Sequence, residues 1–279
     1  TPIYWESSKI EWYEYKFPFQ KFSDFLLTRY IFKKYTDYCK ENNLKKNKES
    51  LTHFFSKDTD IWKYLIKSWN YWIIEALSIE CPEQMNWLEL LEVAPHLIEN
   101  YHEYMYNALI ESFIWRLPNA FDSRLLFVKK VINKVIINNE YLRSDLLNAF
   151  ITIWPIIEHP LNWNRLHDFL LKFTMAERDS WWSSNFIRNN YWENWALDRI
   201  LQWAWSDHKK DHISNDSLLL SCIILSWLLT TPNRFVRDRA TKGLVSLLKD
   251  RIDLIIPLLE KFKNVNDIYI LERLYWVTY

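Results

Sequence analysis

The chain has 279 residues, 49% of them hydrophobic and 18% aromatic, enough apolar surface to bury a sizeable core and to exclude a disordered chain. Its 35 basic residues balance 35 acidic ones, so no net field gathers nucleic acid or an anionic membrane surface. A single glycine, Gly243, excludes phosphate-cradling loops and dinucleotide fingerprints, which need several glycines, and it disfavours a fold of many tight hairpins.

In chain order, residues 1–20 are aromatic-rich and irregular, with Pro2 and Pro18 as breakers, and Phe22–Tyr38 has helical periodicity. CKENNLKKNKES, Cys39–Ser50, is polar and lysine-rich. No aromatics interleave its lysines, so it is expected to be an exposed, solvated loop and not a nucleic-acid patch. We expect an irregular-to-helical N-terminal portion over residues 1–57 and a helical-repeat body over 58–279. In that body an amphipathic run, Thr59–Ile79, is followed by predicted helices over Pro82–Glu92, Pro95–Leu117, Ser123–Asn138 and Tyr141–Trp154. Pro82, Pro95, Pro118, Pro155 and Pro160 fall between these runs or in first turns, where the missing N–H costs little. The pattern continues over Asn162–Met175, Trp192–Trp205, Asn215–Thr230, Arg234–Lys249, Asp253–Lys263 and Asp267–Tyr279, with SNDS at 214–217 and Asp267 supplying N-caps. Short connections force neighbouring helices to lie antiparallel, and stacked antiparallel pairs make a solenoid. The expected fold class is therefore all-α, an α-solenoid of antiparallel HEAT/TPR-like helix pairs.

Cys39, Cys81 and Cys222 are far apart, with no CxxC pair, which fits a reduced cytoplasmic protein, and Cys222 in its apolar run reads as a small core residue. The most apolar run, Leu218–Leu229, is too short to span a bilayer, so no membrane association is expected. The sequence starts at Thr1 and stops at Tyr279 in mid-pattern, and it is expected to be a piece of a longer chain.

FVRDRATKGLVSLL is the most specific stretch. Val236, Ala240, Leu244 and Leu247 share one helical face, with Arg237 and Asp238 away from it. Thirty-four residues on, Tyr269, Ile270, Glu272 and Arg273 repeat the order of Phe235, Val236, Asp238 and Arg239, a spacing within the range of two-helix repeats. Gly243 then reads as a place of close helix packing.

The pattern NRFVRDRATKGLVSLL resembles the second helix of a HEAT-type repeat, in which a Val-Arg pair after an Asn or Asp turn precedes an alanine on the packing face. Residues 214–279 carry that likeness best. Taken together, AERDSWW, ILQWAWSDHKKDHISNDS, WLLTTPNRFVRDRATKGLVSLL and VNDIYILERLYWV look like the helical C-terminal region of large bacterial STAND-type ATPases of antiviral defence, the Avs (AVAST) group, over residues 80–279. That resemblance implies an effector domain, a nucleotide-binding domain and a helical-repeat sensor that binds a phage terminase or portal protein. This chain lacks the phosphate loop, so the resemblance implies the sensor or part of it, with ATP binding, nuclease activity and any oligomerisation residing in domains outside it.

Several residues are candidates for a site. His208 and His212, with Asp207 and Asp211, have a spacing that could face one metal on a helix, but no third ligand is evident and the segment reads as a solvated connection. No nucleophile elbow is possible with one glycine, so neither catalytic residues nor cofactors are expected. Seventeen tryptophans are an excess, and Trp181, Trp182, Trp192, Trp195, Trp203 and Trp205 crowd residues 181–205. On a helix Trp192, Trp195 and Trp203 share a side and Trp205 points away, leaving two readings open: an inner helix packed on both sides, or a partner surface that includes Trp181, Trp182 or Trp205. Arg234, Arg237 and Arg239 likewise form either a ladder of inter-repeat ion pairs with Asp238 or a basic strip facing an acidic protein partner. The expected function is protein recognition. A scaffold for host protein assembly stays open as an alternative, and a nucleic-acid-binding solenoid is disfavoured by the neutral charge.

Overall fold

The computed structural model describes residues 20–66, 71–85, 88–121, 125–133, 139–153, 155–180, 182 and 196–279. All regular structure among them is helical. The chain forms two compact units, Thr1–Ser112 and Phe113–Tyr279. The boundary expected at 57/58 falls inside the first.

In the first unit, α1 (Gln20–Glu41) packs on α4 (Tyr71–Gln84), and α2 (Lys48–Phe54) packs on α5 (Leu90–Val93). Ile31, Phe32, Tyr35 and Cys39 line the buried side of α1, with Ile73, Ile74, Leu77 and Cys81 answering from α4. The Tyr35 hydroxyl lies 2.7 Å from Ser50 Oγ, and burial pushes its pKa up to about 12. The lysine-rich segment is a loop only in part. The first helix runs on through Cys39 to Glu41, and α2 starts at Lys48 because Asn47 caps it, accepting from Ser50 N–H while Ser50 Oγ accepts from Asn47 N–H. Pro82 does not open a helix either. It sits in the last turn of α4, where a missing N–H removes one bond at the helix end. After α3 (Asp60–Ile66) and α5, α6 (Pro95–Trp115) carries the chain into the second unit.

That unit contains α7 (Leu125–Val131), α8 (Glu140–Ile153), α9 (Trp163–Leu170), α10 (Met175–Arg178), α11 (Ala196–Trp205), α12 (Asn215–Leu228), α13 (Arg234–Leu248), α14 (Ile255–Phe262) and α15 (Ile268–Thr278). Alternate helices pack on one another: α8 on α11, α11 on α13 and α13 on α15, with α9 on α12 and α12 on α14 in a second row. α12 also packs on α13, and α14 on α15. Apolar on every side, α12 buries Leu218 and the whole run from Leu220 to Leu228, as a helix with neighbours all round must. Cys222 lies inside it, and burial raises its thiol pKa to about 12.

Gly243 explains itself here. A Cβ at this position would lie 2.9 Å from Ala204 Cβ on α11 and 3.4 Å from Leu225 on α12, so only glycine lets α13 approach both helices this closely. The 34-residue repeat also has a structural counterpart. Asn233 accepts from the N–H groups of Phe235 and Val236 at the start of α13, and Asp267 accepts from those of Tyr269 and Ile270 at the start of α15. Val236 and Ile270 are fully buried, while Phe235 and Tyr269 stand exposed.

A buried polar node lies where α9, α10, α12 and α14 meet. Trp227 Nε1 donates to His167 Nδ1 at 3.1 Å, which leaves His167 Nε2 to donate to the Lys261 carbonyl at 3.0 Å. This fixes a neutral imidazole, and burial lowers the His167 pKa accordingly. Beside it Arg178, with a fully buried side chain, lies 4.9 Å over the Trp227 ring and 3.6 Å from Asp267.

Candidate functional site

The sequence of α13 leads outward from this core. With Val236, Ala240, Leu244 and Leu247 buried, the helical period turns Phe235, Arg239 and Lys242 toward the opposite side, beside α11. On α11, Leu197, Ile200, Leu201 and Ala204 face inward and Trp205 is left 44% exposed. Asn148 of α8 accepts from the Ala196 N–H, which orients the start of α11.

The side chains that emerge form a ladder of cations and rings across three helices. Lys242 Nζ is 4.4 Å from the centre of the Trp205 ring, and the Arg239 guanidinium is 5.9 Å from it on α13's other turn. Arg239 lies in turn 4.6 Å over Phe235. Its Nη1 donates to Asp198 of α11 at 3.1 Å, a carboxylate that is itself buried and held by Gln202 at 2.6 Å. The next step belongs to α15: Arg237 lies 5.9 Å from the Tyr269 ring, with Arg273 on the same ring at 5.2 Å. The pair Phe235/Arg239 thus recurs as Tyr269/Arg273, each four residues apart and 34 residues on. Exposed cation–ring contacts contribute about 0.5–1 kcal/mol each and hold long side chains in one arrangement.

Of the sequence candidates, Trp205 and Arg239 come together here, whereas Arg237, two residues before Arg239 and so on the other flank of α13, sits against Tyr269 of α15. Arg234 is exposed on the same helix and pairs with Asp238 at 3.3 Å within α13, so only Arg239 among the three arginines makes an ion pair between helices in the described residues. Trp182 does not belong to a surface. It is 1% exposed, its ring meets Trp163 edge-on, and its Nε1 donates to the Trp227 carbonyl at 3.0 Å, so it is a core residue. Trp181, Trp192 and Trp195 lie outside the described residues. Phe235, Lys242, Tyr269 and Arg273 were not among the candidates, although the aromatic-to-arginine spacing of four within both repeat copies was a readable signal for cation–ring pairing.

His208 and His212 lie in the exposed loop after α11, not on a helix, so their four-residue spacing does not place them on one face. Among the described residues no three His, Cys, Asp or Glu side chains gather as a metal site, and no helix is long and apolar enough to cross a membrane. The ladder offers flat rings, guanidinium groups and an ammonium. It suits carboxylates and aromatic or methyl-bearing groups. Comparison with protein families, with curated proteins and with solved structures finds no match to this chain.

Proposed function

We propose that this chain is a non-catalytic protein-recognition module, a cytoplasmic stack of antiparallel helix pairs whose α11–α13–α15 row presents the cation–aromatic ladder to a protein partner. The observation that carries this reading is the ladder itself: Trp205, Arg237 and Arg239 are exposed or half-buried, yet ordered by ring stacking, an ion pair and the Thr231 carbonyl. Tryptophan and arginine are the residues that most often dominate interface energetics, and preordering them lowers the cost of binding. The alternating two-row packing and the repeated caps at Asn233 and Asp267 support the HEAT-like solenoid.

The resemblance to antiviral STAND ATPase sensor regions supports the sharper form, in which the partner is a phage packaging or structural protein such as a terminase or portal and binding is passed to domains outside this chain. The ladder favours a partner patch rich in carboxylates, since α13 and α15 gather the cations Arg234, Arg237, Arg239, Lys242 and Arg273 on this row. Calorimetry of the protein against a panel of terminases and portals tests it. One of them should bind stoichiometrically, with Trp205→Ala weakening the complex by about 2 kcal/mol, roughly thirtyfold, and Arg237→Glu weakening it further at low salt. Binding that is indifferent to both changes refutes the ladder as the interface.

A further inference from the structure

A second feature of the Phe113–Tyr279 unit lies apart from the ladder. Between α7, α8 and α9 is a cavity of about 300 Å³, at the small end of ligand pockets. Its floor is apolar, formed by Leu146, Leu147 and Phe150 of α8 with Leu161 from the turn before α9 and Leu166 of α9. Its wall carries four cations, Lys129, Arg143, Arg165 and Lys172, against one carboxylate, Asp168. Among the described residues none of the four forms an ion pair, whereas elsewhere Arg29, Arg178 and Arg239 are each matched to a carboxylate. Like charges gathered on the wall of an apolar cavity raise each other's energy unless an anion joins them. Lys129 registers this directly: burial lowers its pKa first, and then the charges of Arg165 and Lys172 lower it further.

We propose that this cavity binds a small amphiphilic anion, with a short acyl or aryl tail on the α8 floor and a carboxylate or phosphate head among Lys129, Arg143, Arg165 and Lys172. The apolar floor selects a tail over a bare ion. The unmatched cations select an anion over an alcohol or an amine. Arg143 and Arg165 supply planar forks that hold either head through paired N–H donors.

Calorimetry with the whole chain decides it, using octanoate, octyl phosphate, octanol, octyltrimethylammonium and inorganic phosphate below their aggregation limits. Both octyl anions are expected to bind one to one, at least tenfold more tightly than octanol or inorganic phosphate, with no binding of the ammonium; the ratio between the two anions identifies the head. Arg165→Glu with Lys172→Glu reverses two exposed charges without touching the floor, and it should cost at least tenfold in affinity while the helical circular dichroism stays unchanged. Absence of anion binding overturns the proposal, as do octanol or inorganic phosphate binding as well as octyl phosphate, or affinity unchanged in the double variant.

Discussion

A methyl group on Gly243 would press on the Ala204 Cβ at 2.9 Å, and neither backbone can yield without moving a packed helix. Gly243→Ala gains up to about 1 kcal/mol of helix propensity and loses about 1–3 kcal/mol to overpacking. A net destabilisation of up to about 2 kcal/mol is therefore expected, read as a lower urea midpoint, with Gly243→Val costing more. His159 gives a second residue-scale outcome. Its Nδ1 accepts from the Leu161 N–H at 3.1 Å, its ring meets Phe121 at 4.8 Å, and burial drives its pKa from 6.5 to about 4 against a smaller pull from the Phe113 backbone. Because the folded-state pKa lies below the unfolded one, the stabilisation is complete above pH 6.5 and is lost as pH falls toward 4. About 3 kcal/mol of stability is at stake in that window, and His167 acts in the same direction. Urea midpoints of wild type should fall across it, and those of His159→Asn, which keeps an acceptor but does not titrate, should fall less.

At the scale of elements, the two repeat copies use one cap geometry with different charge. Asn233 caps α13 as a neutral amide. Asp267 caps α15 in the same way but also faces the buried Arg178 at 3.6 Å, whose pKa burial lowers and Asp267 restores in part. Asp267→Asn keeps the cap and strands the guanidinium, which is expected to cost about 3–5 kcal/mol; Asp267→Ala also removes the cap, for about 1 kcal/mol more. Equal losses from the two variants would show that the cap contributes nothing. The starts of α12 and α13 were legible beforehand because Ser214 and Asn233 cap them through bonds to residues two or three positions away. α2 was not, because the capping Asn47 lies within a lysine-rich stretch whose composition reads as loop.

For the second unit taken whole, the alternating rows explain why so many large aromatics are tolerated. α12, enclosed by α9, α13, α14 and α15, buries Trp227 completely, and Trp163 and Trp182 fill the space beside it. Each such burial contributes about 1.5–3 kcal/mol or more. Sequence spacing could not say that Trp182 faces inward. The Trp182 position is set by the Trp227 carbonyl, 45 residues away. The ladder has the same character: Arg239 meets Asp198 across 41 residues, and Lys242 meets Trp205 only because Gly243 lets α13 close on α11.

The sequence by itself determined the helical class, most helix starts and the 34-residue correspondence, since glycine scarcity, the 3.6-residue period and cap chemistry are all local properties of the chain. Only the tertiary structure decided which tryptophan is core and which is surface, and that Arg234 pairs within its helix while Arg239 pairs across to α11. It also decided that four cations gather around an apolar cavity. Those outcomes depend on how closely two helices approach, a distance fixed by the packing of residues far apart in the chain.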